Sequence, residues 1–207
     1  MATRRRAQRG RPVGAVGDET RQRIIAATMR CVARQGYSRA TIREIARTAG
    51  VTSASLYNYF PTKDELIRAA IAARTEIALP RLRGAAGGPG DVVERIEAVL
   101  DESGRLMREY PDLAAFEWAI RSEGAAALGE PALNDRGFHA FREIIEGIVG
   151  DAQNRQDGAV DAVYALIYGL TELAATLPAA EYHAALRSAK RLVRGNLLSG
   201  TGRSRRR

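Results

Sequence analysis

Residues 41–63 read TIREIARTAGVTSASLYNYFPTK, and this stretch decides the fold. Thr41 is followed three residues later by Glu44, a spacing typical of a capping box at the start of a helix. Gly50 permits a sharp turn after that helix, and a second short helix runs to about Tyr59. Two helices joined in this way indicate a helix-turn-helix, whose second helix can lie in the major groove of DNA.

Apolar residues recur at helical spacing along most of the remaining chain, without strand-like alternation. A first helix is predicted over about 18–35. A fourth is capped at Thr62, with Glu65 completing a second capping box, and covers about 63–79, where Pro80 marks its end. The sequence therefore predicts an all-α fold of about nine helices. The later helices are expected at about 91–110, 112–122, 138–150, 158–177 and 180–198, with a loop at 124–133.

Composition divides the chain into segments. Residues 1–17 are rich in Arg, Gly and small residues and are predicted to form a flexible basic arm. Residues 18–80 hold the helix-turn-helix domain. The Gly-rich stretch at 84–90 is the best candidate for a boundary, after which 91–198 form a larger helical domain. Residues 199–207 are predicted to be a basic tail.

Positive charge is concentrated in the first third of the chain. Residues 1–63 carry 13 Lys and Arg against 3 Asp and Glu, whereas the whole chain carries a net charge of +8, so the remainder is acidic. This asymmetry indicates a surface for a polyanion joined to a body with a second role. Positive charge alone also fits an RNA binder or a membrane-surface binder.

Several classes of protein do not fit the sequence. No run approaches 18 consecutive apolar residues, so we expect no membrane span. Cys31 lies in an apolar segment, which predicts a buried thiol and fits a cytoplasmic location. No nucleophile–base arrangement or phosphate-binding loop stands out, so neither an enzyme nor a cofactor is expected. His139 and His183 lack ligand spacing, so no metal is assigned.

The residues around the helix-turn-helix resemble those of the TetR family of transcriptional regulators. The matching elements are IIAAT at 24–28, Gly36-Tyr37, the segment 41–51 and LYNYFPTK at 56–63. The resemblance covers about 20–70. It implies an N-terminal helix-turn-helix DNA-binding domain and a C-terminal helical ligand-binding and dimerisation domain. It also implies a sequence-specific repressor that leaves its DNA operator when a small molecule binds.

The predicted recognition helix, 53–59, carries no acidic residue, as expected for a face that approaches phosphates. Asn58 can pair with an adenine edge, and Ser53 has little structural reason for its position, so both are leading candidates for base contacts. The resemblance adds Arg43 and Lys63. The predicted DNA-binding residues are Thr41, Arg43, Thr52, Ser53, Ala54, Ser55, Tyr57, Asn58, Tyr59 and Lys63.

Structural roles compete with some of these assignments. Thr41 caps a helix whatever else it does, and Tyr57 has about equal reason to pack in the core. Arginines in the segment 1–17 fit either a minor-groove arm or a disordered solvating tail.

Aromatic and polar residues of the larger domain are candidates to line a cavity between helices. Met107 would form an adaptable wall, and Glu117 a polar anchor. Aromatic residues at helical spacing are more often part of an ordinary packed core. The predicted ligand-binding residues are Met107, Phe116, Trp118, Arg121, Phe138, Phe141, Arg142, Tyr164 and Tyr168.

The last two predicted helices carry apolar stripes and are joined at Pro178, which favours a four-helix interface in a homodimer. Packing within one subunit explains the same stripes nearly as well. The candidate residues are Ile167, Leu170, Tyr182, Leu186 and Val193. A homodimer would read a pseudo-palindromic operator in double-stranded DNA. The alternative function is a DNA-binding regulator or architectural protein without a small-molecule ligand.

Overall fold

The computed structural model describes residues 13–127, 136–150 and 158–197 of the 207-residue chain. These ranges contain nine α-helices and no strand, which confirms the all-α prediction. A short π-helical turn, Val193–Leu197, continues the last helix. The helices are α1 (Val13–Gln35), α2 (Ile42–Ala49), α3 (Ser53–Tyr59), α4 (Lys63–Ala86), α5 (Val92–Glu109), α6 (Pro111–Ala127), α7 (Arg136–Gly150), α8 (Ala159–Thr176) and α9 (Ala179–Leu192).

Residues 1–12 of the predicted basic arm and the predicted tail at 199–207 lie outside the described residues. The remainder of the arm, from Val13, is the first turn of α1, so this helix begins before Asp18, where the sequence placed its start.

Side chains of the first four helices pack into one apolar core. Ile45 of α2, Leu56 of α3 and Ile67 of α4 are fully buried against α1. Phe116 and Ile120 of α6 complete the same core, although they lie far along the chain in the larger domain. The helix-turn-helix unit therefore rests on a helix outside its own stretch of sequence.

Threonine side chains set the starts of three helices. The hydroxyl of Thr41 accepts a hydrogen bond from the Glu44 amide at 3.3 Å, and Thr52 and Thr62 cap α3 and α4 in the same way. Gly50 adopts the left-handed conformation, with φ of 68°, that the turn requires. The Glu44 carboxylate, however, accepts a hydrogen bond from Gln35 Nε2 at 2.7 Å, so it ties α2 to α1.

Helix α4 runs through Pro80 to Ala86, whereas the sequence predicted its end at Leu79. Proline has no backbone N–H, so the carbonyl of Glu76 lacks its usual partner one turn later. Burial on the far side of Pro80 offsets this cost, because Leu82 and Ala86 pack into a second core. Helix α4 therefore contributes to both cores without a break.

The linker after α4 also begins later than the sequence predicted. Gly87 caps α4, so only the second half of the Gly-rich stretch at 84–90 lies outside a helix. Helix α6 continues to Ala127, past the predicted start of a loop at 124, because its apolar face packs along α1 and α8.

The second core fills the space between α4, α5, α7, α8 and α9. Ile96, Val149 and Val163 are fully buried there, and Gly104 of α5 lets Leu186 and Tyr182 of α9 approach closely. The predicted buried thiol is confirmed in the first core, where Cys31 is 5 % exposed.

Helix α8 is, in the part of the chain that the structure describes, the one helix long and apolar enough to cross a membrane by length and composition. It packs against α6, α7 and α9. Only 22 % of this 18-residue helix is buried, and its exposed residues, Asp161, Ala165 and Thr176, share one side that the protomer leaves uncovered.

Replacing Pro80 with Ala should raise the free energy of unfolding by about 1–3 kcal/mol, because the substitution restores a helical hydrogen bond at an exposed position. Urea unfolding of the purified protein would measure the change. Pro178→Ala is the matched control, since Pro178 precedes α9 and no intrahelical bond requires its N–H. A Pro80→Ala protein no more stable than this control would contradict the prediction.

Candidate nucleic-acid interface and interior cavity

Helix α3 separates its apolar and polar residues onto opposite sides. Leu56 is buried in the first core, and Phe60 follows it there at the end of the helix. Ala54 and Asn58 are exposed, and the Tyr57 side chain is 49 % exposed. Tyr57 therefore belongs to the exposed side rather than to the packed one. The remaining polar residues of α3, Ser53, Ser55 and Tyr59, are half-buried.

The start of α2 lies beside α3 and adds a cation. Arg43 and Thr41 are both exposed there, and Thr52 is exposed at the start of α3. Both helices begin with backbone N–H groups that can receive phosphate oxygens. The exposed side of these two helices carries hydroxyl, amide and guanidinium groups, which are the donors and acceptors that read base edges and phosphates.

The ammonium group of Lys63 contacts Tyr37. Its Nζ donates a hydrogen bond to the Tyr37 carbonyl at 2.7 Å and lies 4.4 Å from the centroid of the Tyr37 ring. Burial lowers the pKa of Lys63, and the charges of Asp64 and Glu123 oppose that shift. An ammonium has three N–H donors, so the bond to Tyr37 leaves capacity for the predicted phosphate contact.

The loop between α1 and α2 is held from two directions. The Tyr37 hydroxyl donates to Asp64 Oδ1 of α4 at 3.1 Å, and the Ser38 amide donates to Glu123 Oε2 of α6 at 2.9 Å. Burial first, and then the Asp64 carboxylate, raise the pKa of Tyr37 to about 12. Local sequence patterns could not predict these contacts, because Ser38 and Glu123 lie 85 residues apart.

A cavity of about 60 Å³ lies within the second core, between α4, α5, α6, α7 and α8. Its lining is mainly apolar, with Leu106 and Ile145 among the buried side chains. Five of the predicted ligand-binding residues line it: Met107, Arg121, Phe141, Tyr164 and Tyr168.

Three other predicted ligand-binding residues, Phe116, Trp118 and Arg142, do not line the cavity. Phe116 is buried in the first core, because successive residues of a helix point in directions about 100° apart and Phe116 therefore lies on a different side of α6 from Glu117. Trp118 packs edge-on against the outer side of Tyr168, with ring centroids 5.8 Å apart. Arg142 makes ion pairs with Glu146 and Asp161 at the surface. The side chain of Phe138 lies outside the described residues.

Three charged side chains meet at one wall of the cavity. Glu117 of α6 is 5 % exposed, and each of its oxygens contacts a guanidinium: Oε2 that of Arg74, and Oε1 the Nε of Arg121 at 2.8 Å. Arg121 also donates to the Tyr164 hydroxyl at 3.1 Å. Arg74 was not predicted as a cavity residue, because its helix was assigned to the DNA-binding part of the chain. These contacts connect α4, α6 and α8.

An exposed polar helix on a helix-turn-helix, joined to a helical body with an interior cavity, defines a class of helix-turn-helix regulators. Residues 24–70 match the family described as bacterial regulatory proteins, tetR family. The chain is 45 % identical over 64 residues to the transcriptional regulator SrpR of Pseudomonas putida. It is also 32 % identical over 125 residues to the transcriptional repressor KstR of Rhodococcus jostii.

The N-terminal part of the chain is therefore similar to the TetR family. The matches cover 31 % of this chain and 30 % of SrpR, and 58 % of both this chain and KstR. The fold resembles that of a transcriptional regulator from Saccharomonospora viridis solved with choline. That likeness has a TM-score of 0.72 and 18 % identity, and it covers 86 % of this chain and 97 % of the other.

The raised pKa of Tyr37 predicts that the free energy of unfolding falls at high pH. In the unfolded chain this phenol ionises near pH 10, whereas in the folded protein it holds its proton to about pH 12. Stability from the protonated phenol is therefore complete below pH 10 and is lost as the pH rises from 10 to 12. We expect Tyr37→Phe to lower stability at pH 7 by about 1 kcal/mol, through loss of the bond to Asp64.

Urea unfolding of both proteins at a series of pH values would test this expectation. The difference in free energy of unfolding between wild type and Tyr37→Phe should be constant below pH 10 and should shrink between pH 10 and 12. A difference that does not change across that window would contradict it.

Proposed function

We propose that the protein is a sequence-specific DNA-binding regulator that acts as a homodimer and responds to a small molecule. The observation that carries the proposal is the exposed, acid-free polar side of α3, supported by α2 and its Arg43. In this proposal Asn58 and Ser53 contact bases. Phosphate contacts come from Arg43 and Lys63 and from the hydroxyl groups of Thr41 and Thr52.

Repression is the expected regulatory outcome. KstR, which the chain resembles over 58 % of its length, is a transcriptional repressor. Two copies of α3 would occupy successive major grooves of a pseudo-palindromic operator, with a spacing of about 34–36 Å. A cytoplasmic location follows, because such a protein must reach double-stranded DNA.

The cavity in the second core supports response to a ligand over a purely architectural role. It lies against α4, whose first turn follows the recognition helix, and five sequence-predicted residues line it. The Saccharomonospora viridis regulator of similar fold was solved with a small molecule bound. A ligand that fits one arrangement of α4 better than another would shift the population that can bind DNA.

The uncovered side of α8 supports the homodimer. The candidates Leu170, Tyr182, Leu186 and Val193 are buried within the protomer, so they stabilise one subunit rather than meet a partner. Ala165 is exposed on the opposite side of α8 from Val163 and Leu170. We therefore propose that the side of α8 that contains Ala165 faces the partner subunit.

Selection of bound sequences from a random pool of double-stranded DNA tests the function directly. Asn58→Ala should relax preference at one position of each half-site, with a loss of about 1–3 kcal/mol for the preferred base. Gln22→Ala is the matched control, because it removes an exposed amide from α1, outside the proposed contacts. If Asn58→Ala selects the same sequences as wild type with the same strength, Asn58 does not read a base.

Sedimentation of the Ala165→Glu variant tests the homodimer. A charge placed on the uncovered face of α8 should convert dimers to monomers, because two carboxylates would be desolvated at the interface. Ala72→Glu places the same side chain on the exposed side of α4 and should leave the dimer intact. Wild-type protein that sediments as a monomer at micromolar concentration would contradict the homodimer itself.

A further inference from the structure

A second concave site, the basic groove, lies between α5 and the last helix, α9, with its π-helical turn. It encloses about 460 Å³, which is within the size range of small-molecule binding sites. Among the nine described residues that line it, Asp101 is the one carboxylate, and six are cations. These six are Arg105, Arg108, Arg187, Lys190, Arg191 and Arg194.

Carboxylates of α5 neutralise half of these cations. Arg105, Lys190 and Arg194 each form an ion pair with a carboxylate of that helix, and Lys190 Nζ lies 2.6 Å from Asp101 Oδ2. The pairs of Lys190 and Arg194 also join α5 to the end of the last helix. These three cations therefore have a structural role and do not by themselves indicate a ligand.

The other three cations of the basic groove are not neutralised in this way. Within residues 13–127, 136–150 and 158–197, no carboxylate pairs with Arg108, Arg187 or Arg191, and all three side chains are exposed. Arg191 Nη2 donates a hydrogen bond to the neutral hydroxyl of Ser188 at 2.8 Å. Arg108 Nη1 lies 2.9 Å from Nε2 of His183, one turn before Arg187. The groove therefore holds an excess of positive charge.

The spacing of these arginines is unfavourable for α9 on its own. Arg187 and Arg191 are four residues apart, so their like charges lie on the same side of the helix and repel each other. Basic residues in the last turn of a helix are stabilised by its dipole, which accounts for Arg191 and for Arg108 at the end of α5. It does not account for Arg187, which lies before the last turn. An anion bound between the arginines would relieve the repulsion.

Shape and charge distinguish between possible occupants of the basic groove. A second copy of the chain that presented the same face would bring cations against cations, because a two-fold interface pairs identical surfaces. Duplex DNA spreads its charge along an extended backbone, whereas positions 183 to 191 span only about 12 Å of α9. A short chain of phosphates concentrates roughly three or more negative charges within that length. Its oxygens also match the planar fork of a guanidinium.

We propose that the basic groove binds the diphosphate or triphosphate group of a small molecule, with Arg108, Arg187 and Arg191 donating hydrogen bonds to its oxygens. The site is separate from the cavity in the second core, because the two share no lining residue. The inference rests neither on the proposed DNA binding nor on the response to a ligand in that cavity.

Isothermal titration calorimetry at constant ionic strength tests the proposal with four probes: inorganic triphosphate, adenosine triphosphate, adenosine monophosphate and triglutamate. We expect both triphosphates to bind. The monophosphate should bind at least about tenfold more weakly, since it offers one phosphate. Triglutamate should also bind at least about tenfold more weakly, because its carboxylates are spread along a peptide. Tighter binding of adenosine triphosphate supports a nucleotide as the ligand, and equal binding of both triphosphates supports recognition of the phosphate chain alone.

Replacing both Arg187 and Arg191 with Gln should weaken triphosphate binding by at least about tenfold, because charge-assisted hydrogen bonds are lost. The charge-matched control replaces Arg68 and Arg83, two exposed arginines of α4, with Gln and should leave binding unchanged. Arg108→Gln should weaken binding as well, and it decides the matter if the double variant does not fold. The affinity of the double groove variant for random-sequence DNA should equal that of wild type.

Several results would overturn the phosphate site. They are unchanged triphosphate binding by both groove variants, binding of adenosine monophosphate or triglutamate as tight as that of triphosphate, or no binding of triphosphate by wild type. An equal loss of binding in the α4 control would place the ligand elsewhere. An equal loss of affinity for random-sequence DNA in the groove variant would make the groove a DNA-backbone surface.

The same measurements separate this inference from the proposed function. Groove-dependent triphosphate binding by a protein that selects no DNA sequence would support the phosphate site and defeat the regulator. Selection of a DNA sequence by a protein that does not bind triphosphate would support the regulator and defeat the phosphate site.

Discussion

The buried carboxylate of Glu117, held between the guanidinium groups of Arg74 and Arg121, constrains the rest of the structure. An isolated carboxylate at 5 % exposure is strongly unfavourable, so this group requires both cations where they stand. Removing one member of such a buried set typically costs about 3–5 kcal/mol, because a charge is left without compensation. The register between α4 and α6 is therefore set by charge as well as by apolar packing.

Helix α6 places its two sides in different parts of the molecule. Leu113, Glu117 and Arg121 follow one another at four-residue spacing and line the cavity. Phe116 and Ile120 fill the first core, and Glu123 accepts the hydrogen bond from Ser38. A single helix thus touches the cavity and the loop that precedes the helix-turn-helix. Helix α4 is accordingly not the only connection between them.

Local signals predicted the local structure well. The caps at Thr41 and Thr62 and the turn at Gly50 lie where the sequence placed them, because a cap depends on the few residues beside it. Pro80 misled the prediction, since burial of Leu82 and Ala86 outweighs one lost hydrogen bond. Of the nine ligand-binding residues suggested from the sequence, five line the cavity. It could not distinguish Phe116 from Phe141, because which side of a helix meets a space depends on its neighbours.

Coupling between the cavity and the DNA-reading surface has a physical basis in shared groups. Lys63 and Arg74 lie on one uninterrupted stretch of α4, about 16 Å apart along the helix axis. Lys63 contacts the loop before α2, and Arg74 contacts the carboxylate that also holds Arg121. A ligand that contacts Glu117 or Arg121 in the cavity would bind differently to different arrangements of α4 and α6, because these side chains join the two helices. Such a difference is the requirement for a ligand to shift a conformational equilibrium, and tight binding without it would change nothing.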